Sequence, residues 1–230
     1  MAVSPEPDNT KERILDVALR LFSENGIYQV PISQIREAAG QRNASAVQYH
    51  FGNRDGLIRA IVDRHIDAIH FRRVDLLEAT STADEPTAVA LALFAPLAEM
   101  LDGDWRDLAY LRFIGELLTR PEFRFEDITA LVGHEHADVA NEAIERILSH
   151  GSPLPKTLRD ERIRAAAIMV MHSLAEQATL RAGGIGRRPL PTAIVLANLV
   201  DMYVAALLAP VSPAAVGGNV TSGRRTRSRR

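Results

Sequence analysis

Gly26, Gly40 and Gly52 cut the first fifty-odd residues into three segments of helical periodicity, and this punctuation constrains the fold more than any other feature. From Thr10 to Asn25 the apolar residues Ile14, Ala18, Leu21 and Phe22 fall at i, i+4, i+7 and i+8, which makes one face of a helix. Asn9 or Thr10 can cap it, and Gly26 stops it. Pro31 suits the first turn of a second helix, where its missing N–H is not needed. Ile32, Ile35 and Ala39 give that helix its buried face. Gly40 ends it, because glycine reaches the left-handed conformation a tight turn requires. A third, short helix runs from about Ser45 to Phe51, with Asn43 or Ser45 as cap and Gly52 as stop. Two helices joined by a few residues around a glycine match a helix-turn-helix.

Asn53 then caps a fourth helix from Arg54 to about Ala79, with Leu57, Ile58, Ile61, His65, Ile66 and Ile69 along one side. Beyond a polar break at 80–85 the pattern predicts helices over about 86–102, 105–119, 122–149, 157–183 and 190–209. No convincing strand run appears. The fold class is therefore all-α: an N-terminal three-helix helix-turn-helix domain joined to a larger helical domain. The boundaries expected are a flexible arm over 1–8, the helix-turn-helix over 9–58, the larger domain over 59–210 and a disordered Arg-rich tail over 211–230.

Charge matters here through its distribution. The net charge of −2 by itself argues against a polyanion binder. From Asn9 to Ala60, however, seven basic residues face five acidic ones, and five of the last seven residues are arginine. Phosphate binding depends on such local excess. The tail can add non-specific attraction for DNA, or it can be an inert solvated segment. The chain has no cysteine, which excludes disulfides and thiolate zinc sites and fits a reducing cytoplasm. The first ten residues lack the charged and apolar regions of a signal peptide. The longest apolar run, Ala193 to Pro210, is broken by Asn198 and Asp201 and reads as a buried or interface helix rather than a membrane span.

Three stretches of sequence carry a resemblance to a known family. They are Arg13 to Phe22 (RILDVALRLF) followed by Glu24-Asn25-Gly26, Ile35 to Gly40 (IREAAG), and Tyr49 to Leu57 (YHFGNRDGL). In order and spacing this quarter of the chain resembles the DNA-binding domain of the tetracycline-repressor (TetR) family, apart from about one extra residue between Gly40 and Tyr49. Gln48 stands where that family often has an aromatic residue, and Val30 where it often has a Thr or Ser cap. The remainder is similar to the family only in length and helix layout. The resemblance implies a regulator, most often a repressor, that binds palindromic double-stranded DNA as a homodimer through its last two long helices and leaves it when a small molecule binds.

The residues fit that implication. A recognition helix in the major groove must present hydrogen-bonding side chains. Arg42, Asn43, Ser45, Gln48, Tyr49 and His50 cluster between Gly40 and Phe51, with Val47 and Phe51 as inward anchors. Gln48 can pair with adenine edges, and Arg42 with guanine or phosphate. Tyr49 reads as a DNA contact, with a core role the alternative. Arg54 at the start of the fourth helix and Lys11 near the start of the first are phosphate candidates. Arg20 and Arg59 read as solvated helix faces.

In the larger domain Ala165 to Met171 and Val195 to Leu208 are apolar nearly all round, so something must bury them. A four-helix bundle across a two-fold axis would do so. Trp105, Tyr110, Phe113, Leu117, Phe123, Phe125, Met169, His172 and Gln177 are the candidate lining of an apolar effector pocket. Arg112 and Glu116 can orient a ligand or form an ordinary i,i+4 surface pair, and His172 reads as a core histidine. His134 and His136 point in different directions on a helix, so no metal site is expected. No cofactor motif appears. An all-α enzyme is the less favoured reading, because Glu99, Glu116, Glu176 and His172 form no nucleophile, base and orienting set. A ligand-independent dimeric DNA-binding scaffold is the other alternative, and a cavity in the second domain would count against it.

Overall fold

The computed structural model describes residues 7–43, 45–80, 85–119, 125–212 and 215, with the side chains of 7–9 and 125–128 outside that description. Among the described residues the chain forms α-helices and one short 3-10 turn, with no strand. The order is α1 (Pro7–Asn25), α2 (Ile32–Ala38), α3 (Ala46–Phe51), α4 (Arg54–Ala79), α5 (Pro86–Glu99), the turn Met100–Asp102, α6 (Trp105–Leu118), α7 (Phe125–Val132), α8 (His134–Leu148), α9 (Lys156–Arg181) and α10 (Thr192–Leu208). The all-α class is as the periodicity predicts.

Three boundaries differ from expectation. α1 begins at Pro7, so Pro7 and Asp8 belong to the helix and not to an arm; residues 1–6 lie outside the described part. Proline is tolerated there because the first turn has no use for its N–H. The helix expected over 122–149 is two helices, broken at Gly133 with φ +88°. Glycine alone takes that conformation without strain, and it turns the chain between α7 and α8. Pro31 lies one position before α2 rather than in its first turn; its carbonyl accepts the N–H groups of Gln34 and Ile35. Most of the Arg-rich tail lies outside the described residues.

The three N-terminal helices close on one small core. Ile14, Leu15, Ala18, Leu19 and Phe22 of α1 meet Ile35 of α2, Ala39 just after it, Val47 and Phe51 of α3, and Leu57 and Ile61 of α4, all buried. Val30 is buried too, at 1% exposure, which explains an apolar residue where a polar cap would be ordinary. Gly40 (φ +66°) and Gly52 (φ +74°) make the left-handed turns their positions require. Asn53 caps α4 by accepting the Gly56 N–H at 2.9 Å.

The larger part is organised around α5, which is buried on nearly all sides from Val89 to Ala98. Helices α4, α8 and α10 pack against it. α6 runs antiparallel company with α9, and Gly115 permits their closeness: a Cβ there would lie 2.6 Å from Ala175 Cβ. α6 also packs against α1, so one continuous hydrophobic core spans both parts. α4 belongs to both, with Leu57 and Ile61 in the first core and Ile69 in the second. No helix among the described residues is long and apolar enough to cross a membrane.

Candidate nucleic-acid interface and apolar cavity

The surface expected to meet DNA is built by burial on its reverse side. Ala46, Val47 and Phe51 anchor α3 to the core, which leaves Gln48 and Tyr49 facing outward. Tyr49 is 84% exposed, so a core role is excluded for it. Its ring meets the His50 ring edge-on at 5.1 Å, and His50 is half-buried. Phe51, by contrast, is a core residue. The turn before α3 is held by Asn43, whose Oδ1 accepts the Ser45 N–H at 3.0 Å. Arg42, Asn43 and Ser45 are exposed beside the helix, and Lys11 is exposed on α1. Lys11, Arg42, Ser45, Gln48 and Tyr49 are thus exposed, Asn43 is engaged in the turn and His50 is half-buried, and one candidate is turned away altogether.

Arg54 is that candidate. Its guanidinium turns inward and donates to the carbonyls of Ile27 and Val30, the second at 2.8 Å. It also stands over the rings of Phe22 and Tyr28, 5.7 and 5.6 Å from their centroids. An arginine so engaged positions the loop between α1 and α2 rather than standing ready for a phosphate. Charge and sequence position alone suggested the phosphate; the two carbonyls, 24 and 27 residues away, compete successfully for the same donors.

The Arg112–Glu116 surface pair is not what Glu116 does. Its Oε1 accepts the N–H of Ile27 at 3.0 Å, reaching from α6 into the same loop. A second bridge lies nearby. Asp16 on α1 accepts from Arg106 on α6 (Nε 2.9 Å, Nη2 2.6 Å) and from Arg64 on α4 (Nη1 2.8 Å). Burial alone would raise the Asp16 carboxyl, but the hydrogen bonds and charges of Arg106 and Arg64 outweigh it and hold it below its usual 3.8. Trp105 belongs to this junction, between Arg20 (4.7 Å) and Arg106 (4.8 Å). Arg20 is therefore not simply a solvated face. Neither is Arg59, which donates to the Ala130 carbonyl at 2.7 Å.

A cavity of about 200 Å³ lies within the larger part, walled by α4 to α10. Its lining is mainly aliphatic, with Ile66, Ile69, Leu93, Leu97, Ile144 and Met171 prominent. Of the residues expected to line a pocket, Tyr110 does so. The others are placed elsewhere. Trp105 sits at the α1–α6 junction, and Phe113 is in the core, stacked on Phe22 at 6.2 Å. Leu117 is core, Met169 packs on another side of α9, and His172 is exposed rather than buried. Gln177 is buried but structural, its Oε1 accepting the Leu190 N–H at 3.1 Å. Phe123 lies outside the described residues, as does the side chain of Phe125.

Polar groups in the cavity wall are chiefly Arg73, His136 and Tyr203; the sequence weighs His136 only as a metal ligand and singles out neither of the other two. The signal for Arg73 was present: Val62, Ile66, Ile69 and Arg73 continue one stripe of α4. His65 stacks on the ring of Tyr110 at 4.1 Å, and burial depresses its pKa. Tyr110 thus joins the cavity wall to the residue that follows Arg64. His136 donates from Nε2 to the Asp67 carboxylate (3.1 Å) and meets His70 edge-on, and no metal-binding group of three occurs among the described residues.

Comparison with known proteins agrees with the N-terminal geometry. Residues 14–61 match the model of the family described as bacterial regulatory proteins, tetR family. The chain is 26% identical to the HTH-type transcriptional repressor AcnR of Corynebacterium efficiens over 144 residues, 63% of this chain and 66% of that protein, just under two thirds of its length. It is 39% identical to the HTH-type transcriptional regulator AcrR of Shigella flexneri over 56 residues, 24% of this chain and 26% of that one. A solved Rhodococcus sp. structure assigned to the TetR family covers 87% of this chain and 99% of its own at 12% identity, with a TM-score of 0.43. The matched residues are those that build the three-helix unit and the outward face of α3, so the N-terminal segment carries the DNA-binding helix-turn-helix of the tetR family of bacterial regulatory proteins.

Proposed function

We propose that this protein is a dimeric repressor that binds a palindromic operator and is released by a small apolar or amphipathic molecule held in the cavity. The observation that carries the reading is the pairing of an outward polar face on α3 with an apolar cavity, in one continuous core. A solid second domain would have favoured the ligand-independent scaffold.

Dimerisation through α9 and α10 is supported by what α10 leaves uncovered. Ile194 and Met202 are exposed, with Ala197, Asn198 and Ala205 on the same side. Pairing that face across a two-fold axis would bury it, and reading two half-sites of an operator requires two α3 helices about 34–36 Å apart, one turn of DNA.

Ligand release requires that the molecule bind one arrangement of the helices better than another. The cavity shares α4 and α6 with the Asp16–Arg64–Arg106 bridge and with Glu116. A ligand that shifts either helix would therefore act on the loop and on α1 together. Spatial continuity of this kind is a route for coupling and no measure of its size.

The test is selection of bound fragments from the source genome by the purified protein at two salt concentrations, with sequencing. An enriched palindrome, lost in Tyr49→Ala or Gln48→Ala, supports the reading. Binding without sequence preference that survives both substitutions and disappears on removal of the Arg-rich tail would overturn it.

A further inference from the structure

The cavity wall contains one strong charge that the fold leaves uncompensated. Arg73 is 8% exposed, and its Nε donates to the Leu93 carbonyl at 3.2 Å. No ion pair of Arg73 occurs among the described residues, and its terminal nitrogens are not among the fully buried atoms, so they keep the residue's small exposure. Burial draws its pKa down to about 10, with only Tyr110 opposing the shift, so it remains a cation at neutral pH. The other arginine of the wall, Arg164, is exposed and pairs with Glu161 three residues back on its own helix. Tyr203 adds a second unmet demand. It is fully buried, and its hydroxyl has no partner.

A largely buried guanidinium without a carboxylate partner in an aliphatic cavity is costly, and a purely structural wall would not require one. A ligand that brought a negative charge would offset that cost and would gain from it. A single guanidinium matches the two oxygens of a carboxylate. A phosphate dianion would leave one charge unmet. The remaining wall, rich in Ile and Leu, accepts an apolar body.

We propose that the cavity takes a small amphipathic monoanion, a carboxylate on an apolar chain or ring, with the carboxylate on Arg73 and the Tyr203 hydroxyl as an accompanying donor. The proposal rests on the reading of this cavity as the effector site.

Three probes with one body and different heads test it: octanoate, 1-octanol and octylammonium, titrated calorimetrically into the full-length protein. Octanoate is expected to bind about ten- to a hundredfold more tightly than 1-octanol, as a charge-assisted hydrogen bond implies, and octylammonium more weakly than either. In Arg73→Met the octanoate preference should vanish while 1-octanol binding persists, which shows the cavity intact. Arg73→Lys should keep part of the preference, and Tyr203→Phe should weaken octanoate severalfold. Ligand-free Arg73→Met should melt no lower than the parent, because it removes an unpaired buried charge. Octanoate binding no tighter than 1-octanol, or a preference that survives Arg73→Met, overturns the anion and leaves the cavity as an effector site. Failure of all three probes overturns the anion and counts against the effector reading as well.

Discussion

Glu116 on α6 accepts the backbone N–H of Ile27 at 3.0 Å, although 89 residues separate them. The carbonyl of the same residue accepts from Arg54 on α4. Both polar groups of one buried loop residue are thus held by side chains from two helices that also wall the cavity or lead to it. A loop of this kind cannot move with α1 alone.

Glu116→Ala would leave the Ile27 N–H without its partner. Loss of a hydrogen bond to a charged acceptor at a largely buried donor should cost about 1–3 kcal/mol, read from urea denaturation. Glu116→Gln keeps an acceptor at the same reach and should lose under half of that. Equal losses for the two variants would mean that packing of the side chain, and not the Ile27 bond, matters.

Asp16 should make stability depend on acid. Its carboxyl is held below 3.8 by Arg106 and Arg64 against the opposing effect of burial. A carboxylate whose folded value is depressed contributes stability above its unfolded value and loses it as pH falls through the folded one. Asp16→Asn should therefore be less stable than the parent by about 1–3 kcal/mol at pH 7, and the gap should narrow below about pH 4. Denaturation midpoints at pH 7, 5 and 3 measure it. A gap constant across that range would place the effect elsewhere than in the charge.

Tyr49 and Gln48 should separate binding from folding. Both are exposed, so Tyr49→Ala and Gln48→Ala should change stability by less than about 0.5 kcal/mol. Each should weaken operator binding by about 1–3 kcal/mol if it reads base edges. Lys11→Ala should weaken specific and non-specific DNA alike and reduce the slope of log affinity against log salt by about one. Fluorescence anisotropy across a salt series distinguishes the two behaviours.

The helix-turn-helix was legible because each of its parts is local. Glycines that end helices, an Asn that caps α4 and apolar residues at helical spacing are all visible within a few residues of chain. The cavity was not legible in the same way. Phe113 was a reasonable pocket residue by size, but an aromatic side chain gives no sign of whether it faces a void or Phe22. Arg73 was passed over because a charge on a helix ordinarily faces water, and only its place on the α4 stripe argued otherwise. Arg54 and Glu116 look like surface charges in the sequence. Their partners are backbone groups 27 and 89 residues away, which no local pattern encodes.

Gly56 offers the sharpest test of how α3 is seated. It lies in the first turn of α4, where alanine would ordinarily gain about 1 kcal/mol of helix propensity. A Cβ at Gly56, however, would sit 1.9 Å from the carbonyl oxygen of Phe51, the last residue of α3. That neighbour is backbone and cannot rotate away. Gly56→Ala must push α3 off α4 or strain the Gly52 turn, and overpacking of this kind costs about 1–3 kcal/mol. Gly40→Ala makes the contrast. Its Cβ would meet open space, so its cost is the left-handed φ of +66° alone, about 1–2 kcal/mol. The stability losses should therefore be similar while the binding losses differ. Gly56→Ala should weaken operator binding even at temperatures where the protein is fully folded, because it displaces the helix that carries Gln48 and Tyr49. Gly40→Ala should do so only as far as it unfolds the protein. Equal operator affinity for the two folded variants would show that α3 is not seated by the Phe51–Gly56 approach.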